Sequence, residues 1–141
     1  MDEIFRRGEC RNFKELTPVP DEQLLTLVKA GMQARSVGNQ KDRDFIIVTR
    51  EDLVKAISHN SIVAGPARKA SAAIVIVGKK EGVSFPDEWS FDCAAAAENI
   101  LLEAEHLGWG ASGCRFIHIR TERSTSATSS ISRLNLIHSA S

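Results

Sequence analysis

The sequence has no excess charge of either sign: Lys plus Arg and Asp plus Glu both total 18 in 141 residues. No broad positive field can hold a polyanion, which sets general nucleic-acid binding aside and leaves only local basic pockets. Cysteine is scarce. Cys10, Cys93 and Cys114 lie far apart, with no CxxC or Cys/His metal spacing, and an odd count suits a reducing compartment better than a disulfide framework. Free, partly buried thiols are therefore expected. His59, His106, His118 and His138 have no carboxylate or thiol at ligand spacing; Cys114 with His118 is the nearest case, and two ligands do not make a four-ligand shell, so no metal site is expected. Long apolar runs are also missing. The opening "MDEIFRR" lacks the apolar centre of a signal peptide, and no stretch approaches the ~20 residues that span a bilayer. The expectation is a cytoplasmic protein without a membrane partner, and its length suits one domain with a modest core. There is no internal repeat.

What is present alternates between helical and strand patterns. From Pro20 to Ala34 the apolar residues Leu24, Leu25, Leu27, Val28 and Met32 follow helical spacing, with Pro20 suited to a first turn and Asp21 and Glu22 complementing the positive helix end. Phe45 to Val48 reads as a short apolar strand, after which Thr49 is placed to cap a helix over 51–58. Ala72 to Val77, "AAIVIV", is the most apolar segment and predicts a central strand covered on both faces. Residues 91–110 predict the longest helix, ended by a left-handed Gly108. Ala94 to Ala97 thin that helix at one end, so that another helix or a flat ligand can approach its backbone; packing without a ligand is the ordinary use of such a stripe. Helices interleaved with apolar strands predict an α+β or α/β sandwich.

Two polar stretches are candidate sites. "RRGECRNF" puts Arg6, Arg7 and Arg11 within six residues of one another, around Gly8, which lets a ligand reach the backbone. Guanidinium groups grip phosphate oxygens in a bidentate way, so a phosphate could be held there; Glu9 opposes it, and a solvated helix end is the alternative. The second stretch runs from Ser36 to Asp44, where seven of nine residues are polar or charged. Ser36, Asn39 and Gln40 offer the donors and acceptors that read a heteroaromatic edge, and Gly38 permits a sharp turn. A plain solvated connection is the alternative.

The order of these parts resembles the nitroreductase family of flavoenzymes over about residues 3–113: R-x-x-x-R-x-F, a helix ending in A-x-S-x-x-N before an F-I-x-V strand, then a D-x-x-x-x-x-x-N helix ending L-G-x-G. The resemblance aligns Arg7 and Arg11 with basic residues that bind the flavin phosphate, Gly8 with a further basic position and Glu9 with a Ser. Ala34, Ser36, Asn39 and Phe45 keep the family's A-P-S-x-x-N-x-Q-P-W-x-F, whereas Arg35, Lys41, Asp42 and Arg43 depart from it. Asp92, Asn99, Leu107, Gly108 and Gly110 follow the family helix.

The resemblance implies an α+β, nitroreductase-like fold with a mainly antiparallel central sheet flanked by helices. It also implies a homodimer with FMN at the subunit interface, and Ser36 and Asn39 reaching the partner's flavin. Electrons would pass in pairs from NAD(P)H through the flavin to a small-molecule acceptor such as a nitroaromatic or quinone, with no catalytic acid or base from the chain. The expected cofactor-binding residues are thus Arg7, Gly8, Glu9, Arg11, Arg35, Ser36, Asn39 and Lys41, the cations Arg35 and Lys41 being suited to stabilise a reduced flavin's charge. The alternative is a non-catalytic or weakly flavin-binding remnant or interaction protein. Residues 114–141 do not continue the family pattern. Ten of the 21 residues from Thr121 to Ser141 are Ser or Thr, a composition that predicts a disordered tail with no strand pattern beyond "RFIHI". A diverged, shortened chain or a reading-frame change near Gly113 would each produce such an end, the second being favoured.

Overall fold

The computed structural model describes residues 2–13, 17–59, 62–114 and 136–138. Its elements in chain order are α1 (Glu3–Arg6), α2 (Asp21–Met32), β1 (Arg43–Val48), α3 (Glu51–His59), β2 (Ala73–Gly78), α4 (Trp89–His106) and β3 (Leu136–His138), with 3-10 turns at Val37–Asn39 and Ile62–Lys69. Three strands form one antiparallel sheet in the order β2-β1-β3. The register pairs Arg43 with Gly78 and Val48 with Ala73 on one side of β1, and Asp44 with His138 on the other.

Strand alternation divides the core into two faces. Phe45 and Ile47 of β1, with Ile74 and Ile76 of β2, meet Val28 of α2 and Ala96 and Ile100 of α4. Ile46 and Val48, with Ala73 and Val75, meet Val54 of α3. A sheet covered on both faces by helices needs apolar residues at successive strand positions, which is why both strands read as unbroken runs. Full burial of side chains such as Phe45, Val28 and Val54 stabilises the fold by about 1.5–3 kcal/mol each.

Several sequence expectations are corrected here. β2 is not central: among the described residues it lies at one edge, and β1 occupies the middle and the deeper position. Apolarity alone reports burial, whereas strand order is set by which neighbours pair. β1 begins at Arg43 rather than Phe45, because its first two residues are polar yet buried. Pro20 precedes α2 rather than sitting in its first turn, and Arg50, not Thr49, stands before α3, its carbonyl accepting from the N–H groups of Leu53 and Val54. α4 starts two residues before the expected 91. Of its small residues Ala96 serves packing, fully buried against Val28 and Phe45, whereas Ala94 is exposed. The tail contributes the short strand β3, which the Ser/Thr-rich composition concealed, while "RFIHI" lies outside the described residues.

Gly108 ends α4 as expected. At φ +80° it lets its own N–H reach the Glu105 carbonyl at 3.1 Å and lets the N–H of Trp109 reach that of Ala104 at 2.8 Å, satisfying two orphan carbonyls at once.

Candidate functional site

The polar stretch between α2 and β1 is a tight turn held by buried charges. Arg43 is only 4% exposed, and its guanidinium donates to three carbonyls: Ala34 at 2.8 Å, Arg35 at 3.0 Å and Asp92 at 2.7 Å. It thereby ties the end of α2 to the first turn of α4. Asp92, 3% exposed, answers from α4 by accepting the Val37 N–H at 3.0 and 3.1 Å. A buried charge is tolerable only when hydrogen-bonded in this way. The turn between these anchors contains Gly38 at φ +58°, Asn39 at +52° and Lys41 at +48°. Left-handed backbone at non-glycine residues persists only where the surroundings impose it.

Gln40 and Ser36 are the imposing groups within the turn. The Ser36 Oγ accepts from the Lys41 N–H at 3.1 Å. The Gln40 amide pairs with the backbone of Phe85 in both directions: its Oε1 accepts the Phe85 N–H at 3.0 Å and its Nε2 donates to the Phe85 carbonyl at 3.2 Å. The same Nε2 faces Asp42 at 3.1 Å and Asp92 at 3.4 Å. Phe85 in turn lies against Gly38, where an added Cβ would meet the ring at 2.7 Å.

Asp42 is completely buried and its Oδ1 has no hydrogen-bond partner. Burial, reinforced by the neighbouring Asp92 charge, pushes its carboxyl above the ordinary range. Burial, with the Asp42 charge adding to it, also pushes the adjacent Cys93 thiol up to about 11, so that it stays protonated and is no nucleophile at neutral pH.

The N-terminal cluster forms a second group along α4. Arg7 pairs through Nε with Glu98 at 3.0 Å, Arg6 with Glu105 at 3.7 Å and Glu3 with His106 at 3.0 Å. The Cys10 N–H donates to the Ala111 carbonyl at 2.8 Å, fixing the segment beside the chain that leaves α4. Arg11 pairs with Glu9 at 2.8 Å, and Gly8 has open space where a side chain would stand.

Of the residues expected to form a site, Arg7, Gly8, Glu9 and Arg11 are therefore together, with Arg7 against the middle of α4, and Arg35, Ser36, Asn39 and Lys41 are together in the turn that packs on the first turn of α4. Among the described residues no hydrogen bond or ion pair links the two groups. Arg35, Asn39 and Lys41 are exposed, while the Arg35 carbonyl serves Arg43. Reading the residues singly missed the anchors Arg43 and Asp42 and the partner Phe85. Charged residues in "DRDF" look like the end of a solvated loop; the only signal of burial is their position directly before an apolar strand. Among the described residues no group of His, Cys, Asp and Glu could hold a metal ion, and no helix is long and apolar enough to cross a membrane.

Helices on both faces of an antiparallel sheet, with a long helix spanning two polar clusters, define an α+β protein. No protein-family model matches the chain. It is 36% identical over 108 residues to an NADH dehydrogenase/NAD(P)H nitroreductase of Archaeoglobus fulgidus, across 76% of this chain and 62% of that protein. A crystal structure of an NADH oxidase from Clostridium acetobutylicum superposes with a TM-score of 0.71 at 39% identity, over 75% of this chain and 63% of that one. Both of these proteins are named as putative. An FMN-dependent nitroreductase from Clostridium difficile superposes at 0.68 with 29% identity, over 75% of this chain and 60% of that one. The chain belongs to the nitroreductase family. It spans less than two thirds of the length of these relatives.

Proposed function

We propose that the chain is the flavin-binding part of an FMN-dependent oxidoreductase that takes two electrons from NAD(P)H and delivers them to a nitroaromatic, a quinone or a similar small acceptor. The observation that carries this reading is the combination of an arginine cluster around an open glycine with a rigid polar turn, in a chain similar to a protein named as FMN-dependent. FMN would supply the electron transfer itself.

The residues present suit that cofactor in their chemistry. Arg7 uses only its Nε toward Glu98, which leaves its terminal nitrogens for phosphate oxygens, and Gly8 leaves room for a phosphate against the backbone. Arg11 becomes available once it exchanges Glu9 for the phosphate, an exposed ion pair that costs about 0–1 kcal/mol to break. Ser36 and Asn39 would hydrogen-bond a ring edge, and Arg35 and Lys41 would place positive charge beside it. The turn packs on the first turn of α4 and Arg7 on its middle; a homodimer in which each flavin takes its phosphate contacts from one protomer and its ring contacts from the other is what the family resemblance implies. The exposed side chains of Phe5 and Phe91 are apolar surface available for such an interface. A cytoplasmic location belongs to the same reading.

The test is purification with and without added FMN. A yellow dimer that oxidises NADH or NADPH in the presence of a nitroaromatic or quinone is the expected result. A second reading, a non-catalytic or weakly flavin-binding member, is favoured by one specific feature: Glu9 already pairs with Arg11 and Glu98 stands against Arg7, so two carboxylates compete with a phosphate for these arginines. Protein that stays colourless and monomeric in saturating FMN would establish that second reading and overturn the first.

A further inference from the structure

Gln40 makes more side-chain hydrogen bonds than any other residue of the turn, and it stands at a position that the A-P-S-x-x-N-x-Q motif leaves open. We propose that Gln40 is a positioning residue, a latch that joins the 36–41 turn to Phe85 and so sets Asn39 and the Phe85 ring side by side against a planar heteroaromatic ligand. The role as positioner of a flavin rests on the functional reading above; the latch itself does not.

Three observations converge. The two-way pairing of the amide with the Phe85 N–H and carbonyl, at 3.0 and 3.2 Å, reproduces a β-bridge with a side chain in place of a strand. Gln40 is flanked by Asn39 and Lys41, both in the left-handed region, so the backbone is strained on each side of the residue that makes these bonds. Phe85 seats its ring on Gly38, the residue before Asn39, and is still 46% exposed, so part of this aromatic remains accessible to a ligand. A half-exposed aromatic next to an amide is the usual furniture of a site for a flat ring, which the one stacks upon and the other reads at its edge.

A neutral donor suits this place. The two N–H groups of its Nε2 are shared among Asp42 at 3.1 Å, the Phe85 carbonyl at 3.2 Å and Asp92 at 3.4 Å. A carboxylate in its place would lose every donor and face two buried acids. The charged and titratable groups around it are Asp42 and Arg43 of the turn and β1, and Asp92 and Cys93 of α4, with Lys79 donating its N–H to the Asp42 carbonyl from beyond β2.

The experiment compares the full wild-type chain with Gln40→Glu and, because a third carboxylate could unfold the region, with the uncharged Gln40→Met. Amide exchange of the Phe85 and Lys41 N–H groups is measured without flavin, alongside Ile46 in β1 as an internal control for global opening, and FMN affinity is measured by fluorescence titration from pH 5.5 to 8. In both variants Phe85 should lose at least tenfold in protection while Ile46 does not. FMN binding should weaken by about tenfold at pH 7.5, and Gln40→Glu alone should recover as the pH falls, since protonation restores a donor. Unchanged Phe85 protection in Gln40→Met overturns the latch. Lost protection with unchanged FMN affinity overturns its role in positioning. Failure of the wild-type chain to take up FMN overturns the functional reading instead, and the flavin-free exchange data tell the two failures apart.

Discussion

Asp42 combines complete burial, a carboxylate oxygen without a partner and a like charge on Asp92. Folding therefore raises its pKa above the ordinary 3.8. The folded chain holds this proton more tightly than the unfolded chain, so Asp42 costs no stability below pH 3.8 and becomes a growing penalty as pH rises toward its folded-state pKa. Asp42→Asn keeps the acceptor for Gln40 and removes the charge. It should gain stability at pH 7, where it removes a buried charge beside Asp92, and gain nothing at pH 3. Urea midpoints at the two pH values check this; an equal effect at both would show that charge is not the cause. Glu3 works in the opposite direction. Its hydrogen bond with His106 holds its pKa down to about 2, so its contribution is present above the ordinary 4.5 and is lost as pH falls toward 2. His106→Ala should raise the Glu3 titration part of the way from about 2 toward 4.5, since a backbone hydrogen bond and the N-terminus also lower it, and NMR of the Glu3 carboxyl checks this. Glu9 carries the functional prediction at this scale. Glu9→Ser frees Arg11 and removes a charge that repels phosphate, and should tighten FMN binding several-fold, with a steeper salt dependence than the parent. Weaker binding would mean that Glu9 orients Arg11 rather than competing with the ligand.

At the scale of elements, α4 organises the molecule. It packs on α2 through Gly31, where an added Cβ would meet Ile100 at 2.9 Å and Phe45 at 2.9 Å. Gly31→Ala should destabilise by about 1–3 kcal/mol, the usual range for overpacking a filled core. Chemical denaturation measures it, and a neutral result would imply that Ile100 can move aside. Asn99 donates from α4 to the Ala30 carbonyl of α2 at 3.1 Å, and Trp109, just past the Gly108 cap, donates from its indole to Gln23 at 2.6 Å. Gly108→Ala should cost about 1 kcal/mol, because a side chain at φ +80° meets the left-handed penalty while the surrounding space is open. The strands β1 and β2 and the helices α2, α3 and α4 were legible in the sequence because their apolar residues form runs or repeat at helical spacing, whereas the three-residue β3 was not. Boundaries such as the start of β1 were not, since "DRD" carries no periodic signal and its burial comes from Ala34, Asp92 and Gln40, which lie elsewhere in the chain.

For the whole molecule, the proposed dimer makes a definite claim about mass and cofactor content. Sedimentation of FMN-loaded protein should give twice the 15.4 kDa of one chain with one flavin per protomer. A loaded monomer would mean that the two clusters of one chain serve the same flavin, and would overturn the shared site. The arginine cluster, the Ser36–Lys41 turn and the family resemblance could be read from residue order. How far the arginines are already paired could not, because Glu98 is remote in sequence from Arg7 and meets it only when α1 lies along α4.

By itself the sequence determined the periodic features: the helices α2, α3 and α4 and the strands β1 and β2, where α4 stops, and which polar stretches are candidates for a ligand. These follow from nearest-neighbour geometry, and each residue carries its own part of the signal. The tertiary structure alone decided the order of the strands, the burial of Asp42, Arg43 and Asp92, and the latch between Gln40 and Phe85. The physical reason is that a buried polar group is tolerated only where its partners converge, and those partners come from α2, α4 and a loop that are distant in the chain.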